Sequence, residues 1–455
     1  MSNGGNGSKA MKHRIQNQIL KEICTSFNND KHRMMDILLE TQRRFRCINT
    51  HSMETIASIV GCTRVEVEGV VSFYTFFSDV PKGEITIHLC DDIIDHHSGM
   101  SKVARALEKE LGISFGQTST DGRFSIDYTP CIGMSDQAPA AMINDIILTN
   151  LTPENIRYYI QSLKSGSSPE DLTADLGDGN NANDFVRSMV SNNIQTSGEV
   201  LLCDTDDSKG LSRALAMGPV AVIDQVLSSG LRGCGGAGFP TGRKWSFAAA
   251  TKDSERYVFC NADEGEPGTF KDRVLLTERP NLLIEGMTIA AYATGSENGL
   301  IYLRGEYVYL KSWLEHVLED HREKGLLGKN ISGQEGFNFD VRIQLGAGAY
   351  ICGEESALIS SCEGLPGEPK SRPPFPVQAG YLGHPTIVNN VETYANIPAI
   401  IRNGADWFKG IGTDGCSGTK VFALAGKIDK VGLVEVPMGT SLRDIIFGLG
   451  KGCAD

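Results

Sequence analysis

The sequence predicts an α/β protein built from several domains, and three observations carry that prediction. Apolar residues first recur at helical spacing over 15–45, then in strand-like runs that interleave with helical ones. A polar stretch at 166–183, GSSPEDLTADLGDGNNAN, has few large apolar residues and divides the chain as a linker. At 455 residues and 40% hydrophobic content, the chain is long enough to build more than one core.

Each element follows from local pattern. Residues 1–10 are rich in Gly, Asn and Ser and are expected to be unstructured. Ile15, Ile19, Leu20 and Ile23, then Met34, Ile37 and Leu38, fall three and four apart, as on one face of a helix. The spacing continues over 53–59 and 65–77, with Thr63 placed to cap the latter. A helical bundle is therefore expected within 1–80. Next, 84–89 alternates as a strand, 101–111 reads as a helix, 124–128 and 141–148 as strands, and 153–164 as a helix. That β-α-β-β-α order suits a small thioredoxin-like sheet over 81–165. Beyond the linker, strand-like runs at 257–260, 299–303 and 339–345 alternate with helical runs at 220–227, 281–293 and 308–324. They define a layered α/β domain over 184–410. Residues 420–425 and 431–437 are strand-like again, a helix follows from Ser441, and 411–455 reads as an incomplete domain.

Composition narrows the function. With 43 Lys+Arg against 56 Asp+Glu the formal charge is -13, which argues against nucleic acid or an anionic membrane as the main partner. Apolar runs are interrupted before membrane-spanning length, as at Asp224 and Glu285, so no membrane insertion is expected. No apolar segment follows the N-terminal charges in the manner of a secretory signal, and a cytoplasmic protein is expected. The twelve cysteines are scattered, without a Cys-x-x-Cys, which excludes a compact zinc or ferredoxin-type loop. The 51 glycines, about 11% against a usual ~7%, point to backbone turns that approach a ligand closely.

Five motifs could form such turns. Residues 231–245 (LRGCGGAGFPTGRKW) place Gly233, Gly235, Gly236 and Gly238 before Lys244. They match G-x-G-x-x-G formally, but 220–227 before them reads as a helix, so an ordinary Rossmann turn is not expected. Backbone amides and Lys244 can still surround a phosphate. Asn261, Asp263, Glu264 and Glu266 follow the strand-like 257–260, where polar groups in an α/β sheet meet ligands. Residues 346–356 (GAGAYICGEES) put Gly353, Glu354 and Glu355 at a strand-to-helix junction. A proline loop at 370–376 presents Phe375, and 385–393 presents Asn389, Asn390 and Thr393 before a helix. Taken singly, each motif is as consistent with turn and capping roles as with a ligand.

In this order and spacing, the motifs over about 184–404 resemble the flavin- and NADH-binding subunit of respiratory complex I and its relatives. The segment before the linker resembles that subunit's small thioredoxin-like partner, fused in front. The fusion, together with residues 129–136 (TPCIGMSD), is most similar to the diaphorase large subunit of cytoplasmic NAD-reducing [NiFe] hydrogenases. The resemblance implies a Rossmann-like α/β FMN/NADH-binding domain and the start of a β-grasp (ubiquitin-like) domain. It also implies FMN against the Gly233–Gly238 loop, Lys244, Asn261, Asp263, Glu264, Gly353, Glu354, Glu355, Asn389, Asn390 and Thr393. NAD(H), the substrate, would stack over it, near Gly236, Phe239, Lys244, Phe247, Glu266 and Phe375. Hydride would pass between nicotinamide C4 and flavin N5, with Lys244 and Glu266 orienting and no side chain acting as acid or nucleophile.

The sequence departs from that family in three places. Cys234 stands where the family has Arg, which is expected to weaken nucleotide affinity. In the thioredoxin-like domain, Cys90 and Cys131 occupy two cluster positions, but Asp95 and Ser135 occupy the other two. Hard oxygen ligands suit an iron–sulfide cluster poorly, so no [2Fe–2S] cluster and no metal ligand are expected, and this domain is read as a docking module. The family's cysteine motif for a [4Fe–4S] cluster is absent from these 455 residues, and such a cluster is expected only in a missing C-terminal region. The function expected is an FMN-dependent NADH dehydrogenase (diaphorase) module, the NAD-reducing subunit of a soluble hydrogenase working with other diaphorase and hydrogenase subunits. The alternatives are the corresponding subunit of an NAD-dependent formate dehydrogenase or complex I, or a non-catalytic remnant.

Overall fold

A computed structural model describes residues 4–173, 184–203, 209–253 and 255–453. Of the linker expected over 166–183, residues 174–183 lie outside the described residues, and Glu170–Leu172 form a 3-10 turn. Four helices open the chain: α1 (Gly4–Ser26), α2 (Met34–Phe45), α3 (Thr50–Val60) and α4 (Arg64–Phe73). Helix α1 starts at Gly4, inside the segment expected to be unstructured. Extending an existing helix costs only propensity, whereas nucleating one costs far more. Helix α3 is capped by the Asn49 side chain and stopped by Gly61 at φ +77°, a conformation glycine adopts without strain. Thr63 and Glu66 then form the capping box that starts α4.

The second unit contains β1 (Ile85–Cys90), α5 (Ile93–His97), α6 (Met100–Leu111), β2 (Gln117–Thr118), β3 (Phe124–Thr129), β4 (Ala141–Ile143), β5 (Ile146–Leu148) and α7 (Pro153–Lys164). The sheet order is β2-β3-β1-β4-β5, with β1 and β3 parallel and the other pairs antiparallel. The run 141–148, expected as one strand, is a hairpin. Asn144 takes φ +53° at its tip, the left-handed geometry that tight hairpin turns require.

Then come α8 (Asp184–Arg187), β6 (Ile194–Thr196), α9 (Gly210–Met217), α10 (Pro219–Ser229), α11 (Thr241–Ala250), β7 (Tyr257–Ala262), α12 (Lys271–Glu278) and α13 (Pro280–Thr294). They are followed by β8 (Asn298–Leu303), α14 (Lys311–Glu323), β9 (Asp340–Leu345), α15 (Glu355–Cys362), α16 (Pro376–Ala379), β10 (Thr386–Asn390), α17 (Val391–Asn403) and α18 (Ala405–Lys409). Strands β10-β7-β8-β9 form a fully parallel sheet in that order.

Alternation along the strands divides this sheet between two cores. Tyr257, Phe259, Leu300 and Tyr302 pack with the helical bundle. Val258, Cys260, Ile301 and Leu303 pack on the opposite face with α13 and α17. That second core runs without a break into the thioredoxin-like sheet, through Ile87, Leu89 and Ile126. A buried ion pair fastens the same junction. Arg273, fully buried, forks onto Asp136 at 2.9 and 3.0 Å and donates to the Gly133 carbonyl at 2.7 Å.

The chain continues through the short ladder β11 (Gly412–Thr413) and β12 (Cys416–Ser417) to β13 (Thr419–Leu424) and β14 (Gly432–Pro437). Strand β14 pairs antiparallel with β13 and parallel with β6, so a strand preceding the α/β domain completes the C-terminal sheet. The helix expected from Ser441 is a π-helical turn over Asp444–Leu449. No helix of the described residues is long and apolar enough to cross a membrane.

Candidate functional site

The polar motifs gather at the C-terminal ends of β7 and β10 and in the loops after β8 and β9. In a parallel sheet, crossover loops leave a crevice there. The glycine loop at 230–240 joins two helices, α10 and α11, as the helical reading of 220–227 anticipates. It is closed on itself by Gly233 N donating to Phe239 O (2.9 Å) and Thr241 N to Leu231 O (2.9 Å). Gly236 and Gly238 adopt φ +116° and +62°, which side chains resist. Gly235 lies against β10, where an added Cβ would meet Asn390 Cβ at 3.1 Å. The Cys234 amide donates to Thr393 Oγ1 at 2.9 Å, tying the loop to the first turn of α17.

Lys244 is on α11, with Nζ 3.0 Å from both Glu355 Oε2 and the Val388 carbonyl. Asn261 donates from Nδ2 to the Gly353 carbonyl at 2.8 Å and accepts the Asp263 amide at 3.1 Å. The loops after β7 and β9 are thereby held together. Asp263 Oδ2 is buried without a hydrogen-bond partner, and burial raises this carboxyl to about 8 against the pull of Arg304. An orphaned acceptor of this kind lacks something the site should supply. Asn389 accepts the Trp245 indole N–H at 3.1 Å. Phe239, Phe247 and Phe375 are exposed, with Arg243 over the Phe247 ring at 5.5 Å.

Three expected ligand residues are engaged elsewhere. Glu264 is buried, accepting the amides of Asp272 (3.0 Å) and Arg273 (3.2 Å) and the Tyr307 hydroxyl (3.0 Å). Its carboxylate serves the N-terminus of α12. Burial and the Asp272 charge raise Glu264 to about 7. Glu354 caps α15 and pairs with Arg372. Glu266 is exposed and accepts the Tyr350 hydroxyl at 2.7 Å.

The sequence reading assigned no role to the charged network beneath this site. Lys271 Nζ reaches Asp272 at 2.7 Å, Glu392 at 3.1 Å and Asn390 Oδ1 at 3.2 Å. Burial would lower Lys271, but the carboxylates of Asp272 and Glu392 outweigh it and raise it. Glu392, fully buried, also binds Lys420 and the Val421 amide, and the two cations hold it below the usual carboxylate range despite burial. The network fixes Asn390 and the start of α17, and through Thr393 the glycine loop. Lys271 and Asp272 sit beside the acidic motif in sequence, while Lys420 is about 150 residues away, a pairing no local pattern signals.

Residues 226–399 match the Nuo51 FMN-binding domain family. The site fits the flavin that this family binds: glycines leave backbone open at Gly236 and Gly238, Lys244 supplies a cation, and Asp263 offers an unused acceptor. Residues 20–164 match the thioredoxin-like [2Fe-2S] ferredoxin family. That match conflicts with the expectation of a domain without a cluster. The expectation of no metal ligand meets one candidate group. Cys90, Asp92 and Asp95 bring one donor atom each within 4.8 Å of one another, so Asp92 joins the set that the sequence reading limited to Asp95 and Ser135. Burial raises Asp95 to about 8. The donors do not fit a four-thiolate cluster, because only Cys90 and Cys131 are thiols, and Ser135 Oγ lies 3.5 Å from Cys131 Sγ.

The chain is 46% identical over 429 residues to the NAD-reducing hydrogenase HoxS subunit alpha of Cupriavidus necator, covering 94% of this chain and 71% of that protein. It is 58% identical to the NADP-reducing hydrogenase subunit HndC of Solidesulfovibrio fructosivorans, over 54% of this chain and 50% of that protein. The crystal structure of an NAD+-reducing [NiFe]-hydrogenase in the H2-reduced state superposes with a TM-score of 0.84 at 37% identity, covering 92% of this chain and 69% of that one. This chain belongs to the family of NAD-reducing hydrogenase alpha subunits, in which a thioredoxin-like ferredoxin domain precedes a Nuo51-type FMN-binding domain.

Proposed function

We propose that this chain is the NAD(H)-facing diaphorase module of a soluble, cytoplasmic hydrogenase complex, exchanging electrons between NAD(H) and FMN. The observation that carries the reading is the convergence of the glycine loop, Lys244, Asn261, Gly353 and the orphaned Asp263 at one edge of the parallel sheet. FMN, when bound, supplies the exchange of a hydride with nicotinamide and of single electrons with a partner. The chain's own residues bind and orient. Open amides of the glycine loop and Lys244 receive the phosphate, with Glu355 aiming the ammonium group. Asn261 and Asn389 fix the loop ends that frame the ring. Exposed Phe239, Phe247 and Phe375 give a nucleotide aromatic surface, and Glu266 with Tyr350 offers polar partners for it.

The fused order of the two matched domains and the coverage of the HoxS alpha subunit favour a hydrogenase setting. Visible absorption of the purified protein, with FMN added, tests the chemistry: flavin bands should bleach on NADH without oxygen. A protein that neither retains flavin nor oxidises NADH with an artificial acceptor overturns it. Co-purification tests the setting, since a nickel-containing partner supports a hydrogenase and a molybdenum-containing one indicates a formate dehydrogenase.

A further inference from the structure

Apart from the flavin site, the thioredoxin-like domain gathers four buried donors at the C-terminal ends of β1 and β3. Cys90 ends β1, and Asp92 follows, its Oδ1 accepting the amides of Ile94 (2.7 Å) and Asp95 (2.9 Å). Asp95 lies in α5, with Oδ1 on the Ala140 amide at 2.9 Å. Cys131 arrives buried from the loop after β3, its Sγ 3.5 Å from Ser135 Oγ. The four are 1%, 7%, 1% and 2% exposed for Cys90, Asp92, Asp95 and Cys131.

Two features separate this cluster from an ordinary buried polar group. Asp92 Oδ2 has no hydrogen-bond partner, although Asp92 is more than nine-tenths buried. Neither carboxylate forms an ion pair with a Lys or Arg among the described residues, whereas the buried acids beneath the flavin site are matched by Lys271 and Lys420. Two carboxylates this close without a cation are costly to ionise together, and a divalent ion removes that cost. Donor spacing favours a single ion. Zinc bonds of ~2.3 Å to sulfur and ~2.0–2.2 Å to oxygen put tetrahedral donors about 3.5 Å apart, compatible with the 4.8 Å limit within which Cys90, Asp92 and Asp95 converge. Mixed thiolate and carboxylate ligands suit a borderline cation better than a four-thiolate iron–sulfide core.

We propose that Cys90, Cys131, Asp92 and Asp95 form a closed structural site for one divalent cation of the zinc class. Binding releases the thiol protons as the two sulfurs become ligands. The ion joins the end of β1, the start of α5 and the 130–140 loop. That loop also meets the flavin domain, where Arg304 donates to the Cys131 carbonyl at 2.7 Å and to the Glu264 carbonyl.

The test uses the whole chain, stripped with a chelator and titrated with zinc and, separately, with cobalt(II). One zinc per chain should bind and raise the thermal unfolding midpoint. Cobalt should give the intense visible bands of a tetrahedral site together with sulfur charge-transfer absorption. Asp92→Asn, which keeps shape and hydrogen-bonding capacity, should weaken zinc at least tenfold, and Cys131→Ser should weaken the sulfur bands, leaving those of Cys90. Flavin retention, read on the same samples, reports separately on the diaphorase reading. No stoichiometric zinc or cobalt binding overturns the proposal. So does anaerobic reconstitution to two irons and two sulfides per chain with a cluster spectrum.

Discussion

Two buried acidic clusters lie on either side of the junction between the domains, and they are balanced differently. Under the flavin site, Glu392 and Asp272 face Lys271 and Lys420. In the thioredoxin-like domain, Asp92 and Asp95 face backbone amides and the Cys90 thiol. The first cluster is complete as a protein structure and acts by holding Asn390, α17 and the glycine loop in place. The second has no such cation among the described residues, and the proposed divalent ion would supply one.

Several changes would sharpen or break that contrast. The largest effect is expected at the flavin site itself: Lys244→Ala with Asn261→Ala should abolish flavin retention after gel filtration, and normal retention would remove the assignment of both residues. Next is Glu392→Ala, which leaves Lys420 without its carboxylate and Lys271 with Asp272 alone. It should cost about 3–5 kcal/mol in urea unfolding, and a loss below ~1 kcal/mol would mean the network is solvated and idle. The pH dependence of the flavin-free protein is a smaller effect. Asp263 and Glu264 are raised to about 8 and about 7, so the folded state keeps protons that the unfolded chain loses above about pH 4. Stability should therefore fall as pH rises from about 4 to 8 and level off beyond, and Asp263→Asn should flatten the decline in urea midpoints. Asp92→Asn should weaken the metal-free protein slightly, because despite burial the Ile94 and Asp95 amides favour its carboxylate and hold it below the usual range; an unchanged urea midpoint would mean that this carboxylate acts only with an ion. The smallest change is Cys234→Arg, expected to lower the KM for NADH a few-fold with little change in Tm.

Much of the fold was legible in local pattern. Thr63 announced α4 as its cap, and the strand-like runs over 299–303 and 339–345 announced two strands of the parallel sheet. Strand β10 was not legible, because TIVNN is five residues long with two amides at its end and becomes a strand only by pairing with β7. The same holds for β6, three residues that acquire their role from β14. At the candidate site, the glycine loop, Lys244, Asn261 and Gly353 were visible as motifs, and the structure brings them together. Glu264 looked like a ligand from its place in an acidic loop, yet its carboxylate is committed to the amides at the start of α12.

By itself, the sequence determined the order of the domains, the helical entry to the glycine loop and the set of polar residues available at the strand ends. Periodicity, capping and glycine placement are properties of neighbouring residues, and they survive without a fold. Only the tertiary structure decided which charges meet. Lys420 with Glu392, Asp136 with Arg273, and Lys271 with Glu392 are pairs separated by 28, 137 and 121 residues. Their energies depend on burial and distance, which no short window of sequence contains.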